Sequence, residues 1–485
     1  MGGRRIQVTD TTIRDGQQSL WATRMTTGQM LPIARQLDEI GFECIEIIGN
    51  MHYDVAVRYL QEDPWDRLRS MKKIIRNTPF SQGLRSRSAI SFGVMPDDVL
   101  ELYVQRIVAN GVDWVWAFDA LFDLDNVVDR LILAKRLGAR TGGALVFCES
   151  PVHTDELYAS KAREYVERAD VDYIMIKDSG GLLTPDRLRT LVPAIRAAVG
   201  DRQITLHSHG MTGLAPLVYV EGVQAGVDSV QCSIAPLANG PAQPALQNTV
   251  RNLRLLGYDL PINDGPVNEV SDYLVALARQ EGRPLGAPYD YDAFHYQHQL
   301  PGGMLTNLEY QLQQAGMSHM FHSLLEEVAR VRSELGWPIM VTPFSQHVAN
   351  QALLNILHKD RYKIVPDEVK KYALGHYGQL IAPIDPDVLD RIIANGSKSI
   401  SGGPQPLDPM LPKLRKQYPK ASDEEILLRA MIPENLVNAM YAVAKPPEPY
   451  RLQTPVERLV SELAKRPDVR SVRVEKGDFA LRLDQ

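Results

Sequence analysis

The feature that most constrains this chain is the regular alternation of short apolar runs with helical patterns through its first half. Strand-like runs fall near Ile6–Thr9, Cys44–Ile48, Gly83–Ser91, Trp114–Phe118, Ala144–Cys148, Tyr173–Ile176, Ile204–His207 and Val230–Ile234. Helix-like segments such as Gly28–Glu39 and Pro185–Val199 fill most of the gaps. Strands alternating with helices predict parallel pairing, and a set of eight predicts an α/β fold of the TIM (β/α)8 barrel type. A doubly wound sheet is the structural rival, but it wants a glycine-rich turn after its first strand. The stretch Asp10-Thr11-Thr12-Ile13-Arg14-Asp15 is not such a turn.

From about Met304 onward the strand pattern disappears and helical periodicity takes over, with Leu324–Leu335, His347–Leu357, Pro366–Gly375, Asp387–Asn395 and Asp423–Met431 as the expected helices. Residues 395–404 and 445–449, rich in Gly, Ser and Pro, read as loops. The chain then closes with a helix over Pro455–Lys465 and a hairpin, Val469–Val474 with Phe479–Leu483, around Lys476-Gly477-Asp478. The expected organisation is a barrel over 1–303, a helical domain over 304–450 covering the barrel mouth, and a C-terminal helix with a small β-hairpin over 451–485.

Composition narrows the function. A net charge of -6 leaves no basic footprint for nucleic acid or an anionic membrane, so no nucleic-acid partner is expected and an anionic small-molecule substrate must be met by local cations. No run approaches the roughly 18 apolar residues of a membrane span, and Ile6-Gln7-Val8-Thr9-Asp10 stands where a secretory signal would need an apolar stretch. A cytoplasmic location is expected. Cys44, Cys148 and Cys232 are odd in number and sit in apolar runs, which reads as buried thiols rather than a disulfide framework.

On a barrel, side chains at strand C-termini converge on one mouth. Asp15, Lys177, His207 and His209 all fall there. Two imidazoles spaced by one residue on an extended segment face the same side, and a carboxylate from another strand end completes an N/O set suited to one divalent ion, Zn, Mn or Co. The bland alternatives are a turn-capping carboxylate for Asp15, an ion-paired lysine for Lys177 and backbone-satisfied histidines.

The surrounding motifs are more specific. Thr11-Thr12-Ile13-Arg14-Asp15-Gly16-Gln17-Gln18, Glu62-Asp63-Pro64-Trp65-Asp66-Arg67-Leu68, Ser150-Pro151-Val152-His153-Thr154, Gln299-Leu300-Pro301-Gly302-Gly303-Met304-Leu305-Thr306-Asn307 and Val341-Thr342-Pro343-Phe344-Ser345-Gln346 occur in this order. Over roughly Thr11 to Asn395 the chain resembles the carboxyltransferase component of the biotin-dependent pyruvate carboxylase, oxaloacetate decarboxylase alpha subunit and transcarboxylase family. The resemblance implies that Asp15, His207, His209 and an N-carboxylated Lys177 hold the metal. A carbamate turns a repelling ammonium into an oxygen ligand. It further implies that Arg85 grips a 2-oxo acid, because a planar guanidinium suits carboxylate and enolate oxygens. Gln18 and Arg14 would orient substrate and metal-side groups; the structural alternative for Arg14 is a strand-to-loop ion-pair network.

Several positions depart from that family. The loop that in members carries a proton-shuttling threonine places Pro241 there, with neither hydroxyl nor N–H. Gly49-Asn50-Met51-His52, Ser86-Arg87-Ser88 and Gly210 also differ beside the expected site. A different acceptor is therefore expected, whose own group, or a nearby residue such as Asn239, Ser233 or His52, completes the proton relay. No Ala-Met-Lys-Met biotinylation tetrapeptide, nor its Met-Lys-Met core, and no glycine-rich ATP-grasp segment occurs, so carboxybiotin is expected from a separate carrier, with biotin carboxylase and biotin carrier subunits as partners and this subunit as a homodimer within a larger complex. The rival enzyme reading is a lyase or Claisen-type synthase of the same barrel superfamily, which shares the Asp-Thr-Thr-x-Arg-Asp-Gly start and the His-x-His pair; a non-catalytic scaffold is the third. Lys177 and the Leu300–Met304 loop speak against the lyase, and the retained Asp15, Lys177, His207, His209 and Arg85 against the scaffold.

Overall fold

The computed structural model describes residues 3–90, 93–314, 316–358, 360–404, 406–465, 471–476 and 479–484. Its centre is a closed parallel barrel in strand order β1 to β8: Gln7–Asp10, Cys44–Glu46, Phe80–Arg85, Trp114–Phe118, Arg140–Val146, Tyr173–Asp178, Gln203–Ser208 and Ser229–Cys232. Closure comes from β1, which pairs with β2 at Thr9–Cys44 and with β8 from Gln7–Ser229 to Asp10–Cys232. Helices cover the outside of the barrel, so most strand residues are buried on both faces, as the near-continuous apolar runs anticipate.

Where strand limits differ from expectation, the cause is local packing. β5 begins at Arg140 rather than Ala144. Gly142 and Gly143, which look like a break in sequence, lie inside it because the Tyr173 and Tyr165 rings stand 2.3 and 2.4 Å from where a Cβ would be. β3 runs Phe80–Arg85 and stops there, since Ser86 takes φ +43° and turns the chain. The expected helix Gly28–Glu39 is three pieces, Thr27–Met30, a 3-10 turn Leu31–Ile33, and Ala34–Glu39. Pro32 in the middle piece cannot donate to the helical ladder. Pro185–Val199 matches expectation, with Thr184 accepting from Arg187 N at 3.2 Å and Pro185 at the first turn.

The helices after the barrel include Phe321–Glu334, Phe344–His358, Asp367–Ala373 and Pro386–Asn395. They form a second apolar core with Leu300, Leu324, Val328, Phe344, Val369 and Ile392, which Ala120 and Leu121 of the barrel join. Leu427, Leu428, Val437 and Met440, from the helices Asp423–Met431 and Glu434–Val443, instead belong to the barrel's own core, so the chain returns to the barrel flank after leaving it. The terminal strands β9 (Ser471–Lys476) and β10 (Phe479–Asp484) pair antiparallel; Val469, Gly477 and Asp478 of the expected hairpin lie outside the described residues. Cys44, Cys148 and Cys232 are buried and unpaired, and no helix among the described residues is long and apolar enough to cross a membrane.

Candidate active site

Four side chains meet at the C-terminal mouth of the barrel. After β1 the chain makes a π-helical turn, Thr12–Gly16, in which the Thr11 carbonyl accepts from Arg14, Asp15 and Gly16 N–H at 3.2, 2.8 and 2.9 Å. Such turns recur at functional sites because they swing one side chain off the helical path; here it is Asp15. Lys177 comes from the end of β6, and His207 and His209 from the end of β7 and the residue beyond it. Asp15 Oδ2 lies 3.3 Å from the Nε2 of both histidines, and the ligand atoms of Asp15, His207 and His209 all fall within 4.8 Å of one another. Lys177 Nζ is 3.1 Å from His207 Nε2.

The groups behind these four prepare them as ligands. Nδ1–H of His207 donates to Gln231 Oε1 at 2.6 Å, and Nδ1–H of His209 donates to the Pro241 carbonyl at 2.6 Å, so both Nε2 lone pairs point inward. Burial, and then Lys177, hold His207 well below the usual histidine range, which keeps it neutral. Burial alone would raise Asp15, but the Arg14 guanidinium beside it at 3.2 Å, with the histidines, holds its carboxyl well below the usual range. Arg14 also pairs with Glu46 on β2, whose other oxygen accepts from Trp116 Nε1 at 3.0 Å. The guanidinium is thus engaged on both sides, by Asp15 and by Glu46. Burial and then Arg14 bring Lys177 down to about 8. This donor set, two oriented imidazoles, an ionised carboxylate and a lysine poised between charged and neutral, fits a divalent cation.

The floor opens into a cavity of about 410 Å³. Its walls carry Gln18, Asn50, Met51, Arg85, Trp116 and Phe118 from the barrel, and Pro301, Gly302, Met304, Thr342 and Gln346 from the helical segment. Arg85 is buried, with Nε on Ser88 Oγ at 3.1 Å and Nη2 on the Ala89 carbonyl at 3.3 Å; burial brings it down to about 10, still cationic at neutral pH. Gly83 makes room for Trp116, whose ring is 2.4 Å from where a Cβ would stand.

Gln243 was not singled out by its sequence. Its Nε2 stands 2.9 Å from Asp15 Oδ2, 2.9 Å from His209 Nε2 and 3.3 Å from His207 Nε2. Its Oε1 takes Thr11 Oγ1 at 2.8 Å and Ser233 Oγ at 3.2 Å; turned round, the amide oxygen would face the Asp15 carboxylate. Only the barrel's β1–β8 closure brings residue 243 beside residue 11, and no local signal announces it. The Pro241 ring packs toward Gly302, where a Cβ would lie 3.0 Å from it. Gly210 and Pro241 form one local arrangement. A Cβ at Gly210 would stand 2.9 Å from the Gly240 carbonyl, and Gly210 N–H donates to Ala242 O at 2.9 Å, so the turn that carries the Pro241 carbonyl rests on a bare backbone. The expectation that Asn239, Ser233 or His52 completes a relay is not supported by position. The cavity lining includes Ser19, Ser179, Thr342 and Ser345 but none of those three. His52 is fully buried, taking Gly49 N–H on Nδ1 at 3.3 Å and giving Nε2–H to the Arg14 carbonyl at 3.1 Å.

Residues 296–481 match a family model described as a conserved carboxylase domain, and residues 119–274 one described as HMGL-like. A pyruvate carboxylase subunit of Methanocaldococcus jannaschii is 38% identical over 486 residues, covering 99% of this chain and 84% of that protein. The 2-oxoglutarate carboxylase large subunit of Hydrogenobacter thermophilus is 32% identical over 440 residues, covering 89% of this chain and 67% of that protein. The carboxyl transferase domain from Rhizobium etli pyruvate carboxylase, solved with pyruvate and biocytin, superposes with a TM-score of 0.82 at 26% identity, over 90% of this chain and 77% of that one. Against the complete multifunctional Rhizobium etli enzyme the chain spans 45% of the length.

Proposed function

Because the chain belongs to the carboxyltransferase family of the biotin-dependent carboxylases, with a separate pyruvate carboxylase subunit among its members, we propose that it is a metal-dependent carboxyltransferase subunit of a multi-subunit carboxylase or decarboxylase. It moves a carboxyl group between carboxybiotin and a small 2-oxo acid-like acceptor through the acceptor's enolate. The observation that carries the reading is the convergence of Asp15, Lys177, His207 and His209 on the floor of a cavity walled by Arg85. A divalent ion, Zn, Mn or Co, held by these four supplies positive charge where the acceptor's carbonyl oxygen gains negative charge.

The residues around it have distinct tasks. Near neutral pH a lysine brought down to about 8 is partly neutral, the form that adds CO2 to become a carbamate and an anionic ligand. Arg14 keeps Asp15 ionised and in place. Arg85 holds the acceptor's carboxylate, and Gln18 on the cavity wall orients it. Pro241 offers His209 a carbonyl but can relay no proton, which leaves the relay to the acceptor itself or to a lining hydroxyl such as Ser179 or Thr342. Biotin carboxylase and a biotin carrier are its functional partners, and this subunit works in the cytoplasm as a homodimer within the larger complex. A lyase or Claisen-type synthase would share the barrel and the metal site, but it has no use for a lysine poised for carboxylation or for the Leu300–Met304 segment, whose Pro301, Gly302 and Met304 line the cavity at the start of the helix Gly302–Gln314.

The test supplies carboxybiotin carrier with a panel of 2-oxo acids, ketones and acyl-CoA esters, and measures metal content and the mass of the peptide bearing Lys177. About one divalent ion per chain, a CO2 adduct on Lys177 in ample bicarbonate and transfer to at least one 2-oxo acid are expected. Arg85→Ala is expected to lose about 2–4 kcal/mol of transition-state stabilisation in kcat/KM with metal content unchanged. Metal-free protein with a bare Lys177, or near-normal turnover of Arg85→Ala, overturns the reading.

A further inference from the structure

Behind Arg85 lies a second, smaller cavity of about 30 Å³, which shares Arg85, Phe118 and Thr342 with the main one. One side is the tight turn Arg85–Ser88; the other is Pro343, Phe344, His376 and Tyr377 of the helical segment. That far wall is fastened to the barrel. Asn126 Nδ2 donates to the Tyr377 carbonyl at 3.1 Å, and Gln379 N–H donates to Asp123 Oδ2 at 2.8 Å.

Besides the shared Arg85, the lining of this side pocket carries Arg87. Its Nε is buried without a hydrogen-bond partner, and its Nη2 comes no nearer than 3.8 Å to Asp97, a largely exposed carboxylate that Arg130 also contacts. Burying a guanidinium N–H with nothing to receive it costs free energy unless an anion or water fills the place. The acid in the lining, Asp119, is already saturated. Its two oxygens accept from Leu121 N at 2.7 Å, Asp123 N at 3.1 Å, Ser86 Oγ at 2.6 Å and Asn126 Nδ2 at 3.0 Å. The remaining charged side chains of the lining are the cations Arg85 and Arg87, beside the neutral Ser86, Ser88, Thr342 and Tyr377. Its volume is that of about two water-sized groups, enough for a carboxylate and far too little for the nucleotide arm of a coenzyme A ester.

We propose that the acceptor of this carboxyltransferase is a dicarboxylic 2-oxo acid, with one carboxylate on Arg85 in the main cavity and the second in the side pocket on Arg87. The inference rests on the proposed function and adds the substrate class. Arg87 acts as a specificity-determining residue: its charge, one-third exposed but with Nε buried and unmatched, distinguishes a two-headed acid from pyruvate. The carbon that gains the carboxyl group and the proton it loses remain those of the ordinary reaction.

The experiment compares 2-oxoglutarate with pyruvate and 2-oxobutyrate as acceptors, using the full chain with carboxybiotin carrier, in wild type, Arg87→Gln and Arg87→Lys. The wild type is expected to favour 2-oxoglutarate by about tenfold or more in kcat/KM. Arg87→Gln is expected to cut that preference by about tenfold or more, through KM rather than kcat, at unchanged metal content, and Arg87→Lys to restore part of it. A wild type that uses pyruvate at least as well as 2-oxoglutarate, or an Arg87→Gln variant whose preference is unmoved, overturns the side-pocket assignment and leaves the carboxyltransferase reading standing. Turnover of no 2-oxo acid at all overturns both.

Discussion

At the scale of single residues the site is governed by what stands behind each ligand. Gln243 is the clearest case, because one amide is anchored by Thr11 and Ser233 and presents its N–H groups to Asp15 and both histidines. Gln243→Leu keeps the volume and removes the anchor, and outer-shell losses of this kind typically weaken metal affinity about 10–100-fold. Competition with a fluorescent chelator measures this directly, and unchanged affinity would show that Gln243 only fills space. Asp10 provides a pH test away from the ligands. It is wholly buried, with Oδ2 lacking a partner, and burial raises its carboxyl from 3.8 to about 7. Between those values the folded state keeps a proton that the unfolded chain has released, so this group makes stability fall as pH rises from about 4 to 7. Asp10→Asn should therefore be near-neutral at pH 4 and stabilising by a few kcal/mol at pH 8, read as the difference in Tm against pH. A variant with the same pH slope as wild type removes Asp10 from that role.

At the scale of elements, the turn over residues 239–243 sets the character of the mouth. It supplies the carbonyl that orients His209, lays the Pro241 ring toward Gly302, and rests on Gly210. Gly210→Ala must push that carbonyl-bearing turn outward, costing about 1–3 kcal/mol as overpacking and lowering metal affinity; thermal unfolding and metal titration of the same variant check both. Pro241→Thr, by contrast, keeps the backbone carbonyl, so metal binding should persist. Its added hydroxyl should raise pyruvate turnover, since a positioned acid or base is worth about 10²–10⁴-fold. Ordinary rates with pyruvate in the wild type would show that Pro241 marks no change of acceptor.

For the whole molecule, the site joins a strand-end turn from β1 to the ends of β6 and β7, beneath loops from a second apolar core. A bound ion therefore cross-braces elements far apart in sequence. Stripping it with a chelator should lower Tm without unfolding the barrel at room temperature, the loss being about 2.7 kcal/mol at a free metal concentration of 100 times Kd. Recovery on adding Zn, Mn or Co separates this from damage by the chelator. The same architecture explains why the helical segment matters to substrate: Thr342 lines both cavities, so acceptor selection is divided between barrel and helices.

The alternation of apolar runs determined the barrel and the eight-strand count, and the polar residues at strand ends determined which side chains face the mouth, because both follow from periodicities carried within a few residues. Strand ends were less legible where a ring from a neighbouring strand fills a glycine's place, as at Gly142 and Gly143. Tertiary structure alone decided what each of those side chains touches. Thr11 meets Gln243, Arg14 meets Glu46 and Trp116, Pro241 meets His209, and the segment carrying Leu427 and Met440 returns to the barrel core. These contacts depend on ring closure between β1 and β8 and on how two cores abut, and a pairing across more than two hundred residues leaves no local pattern in the chain.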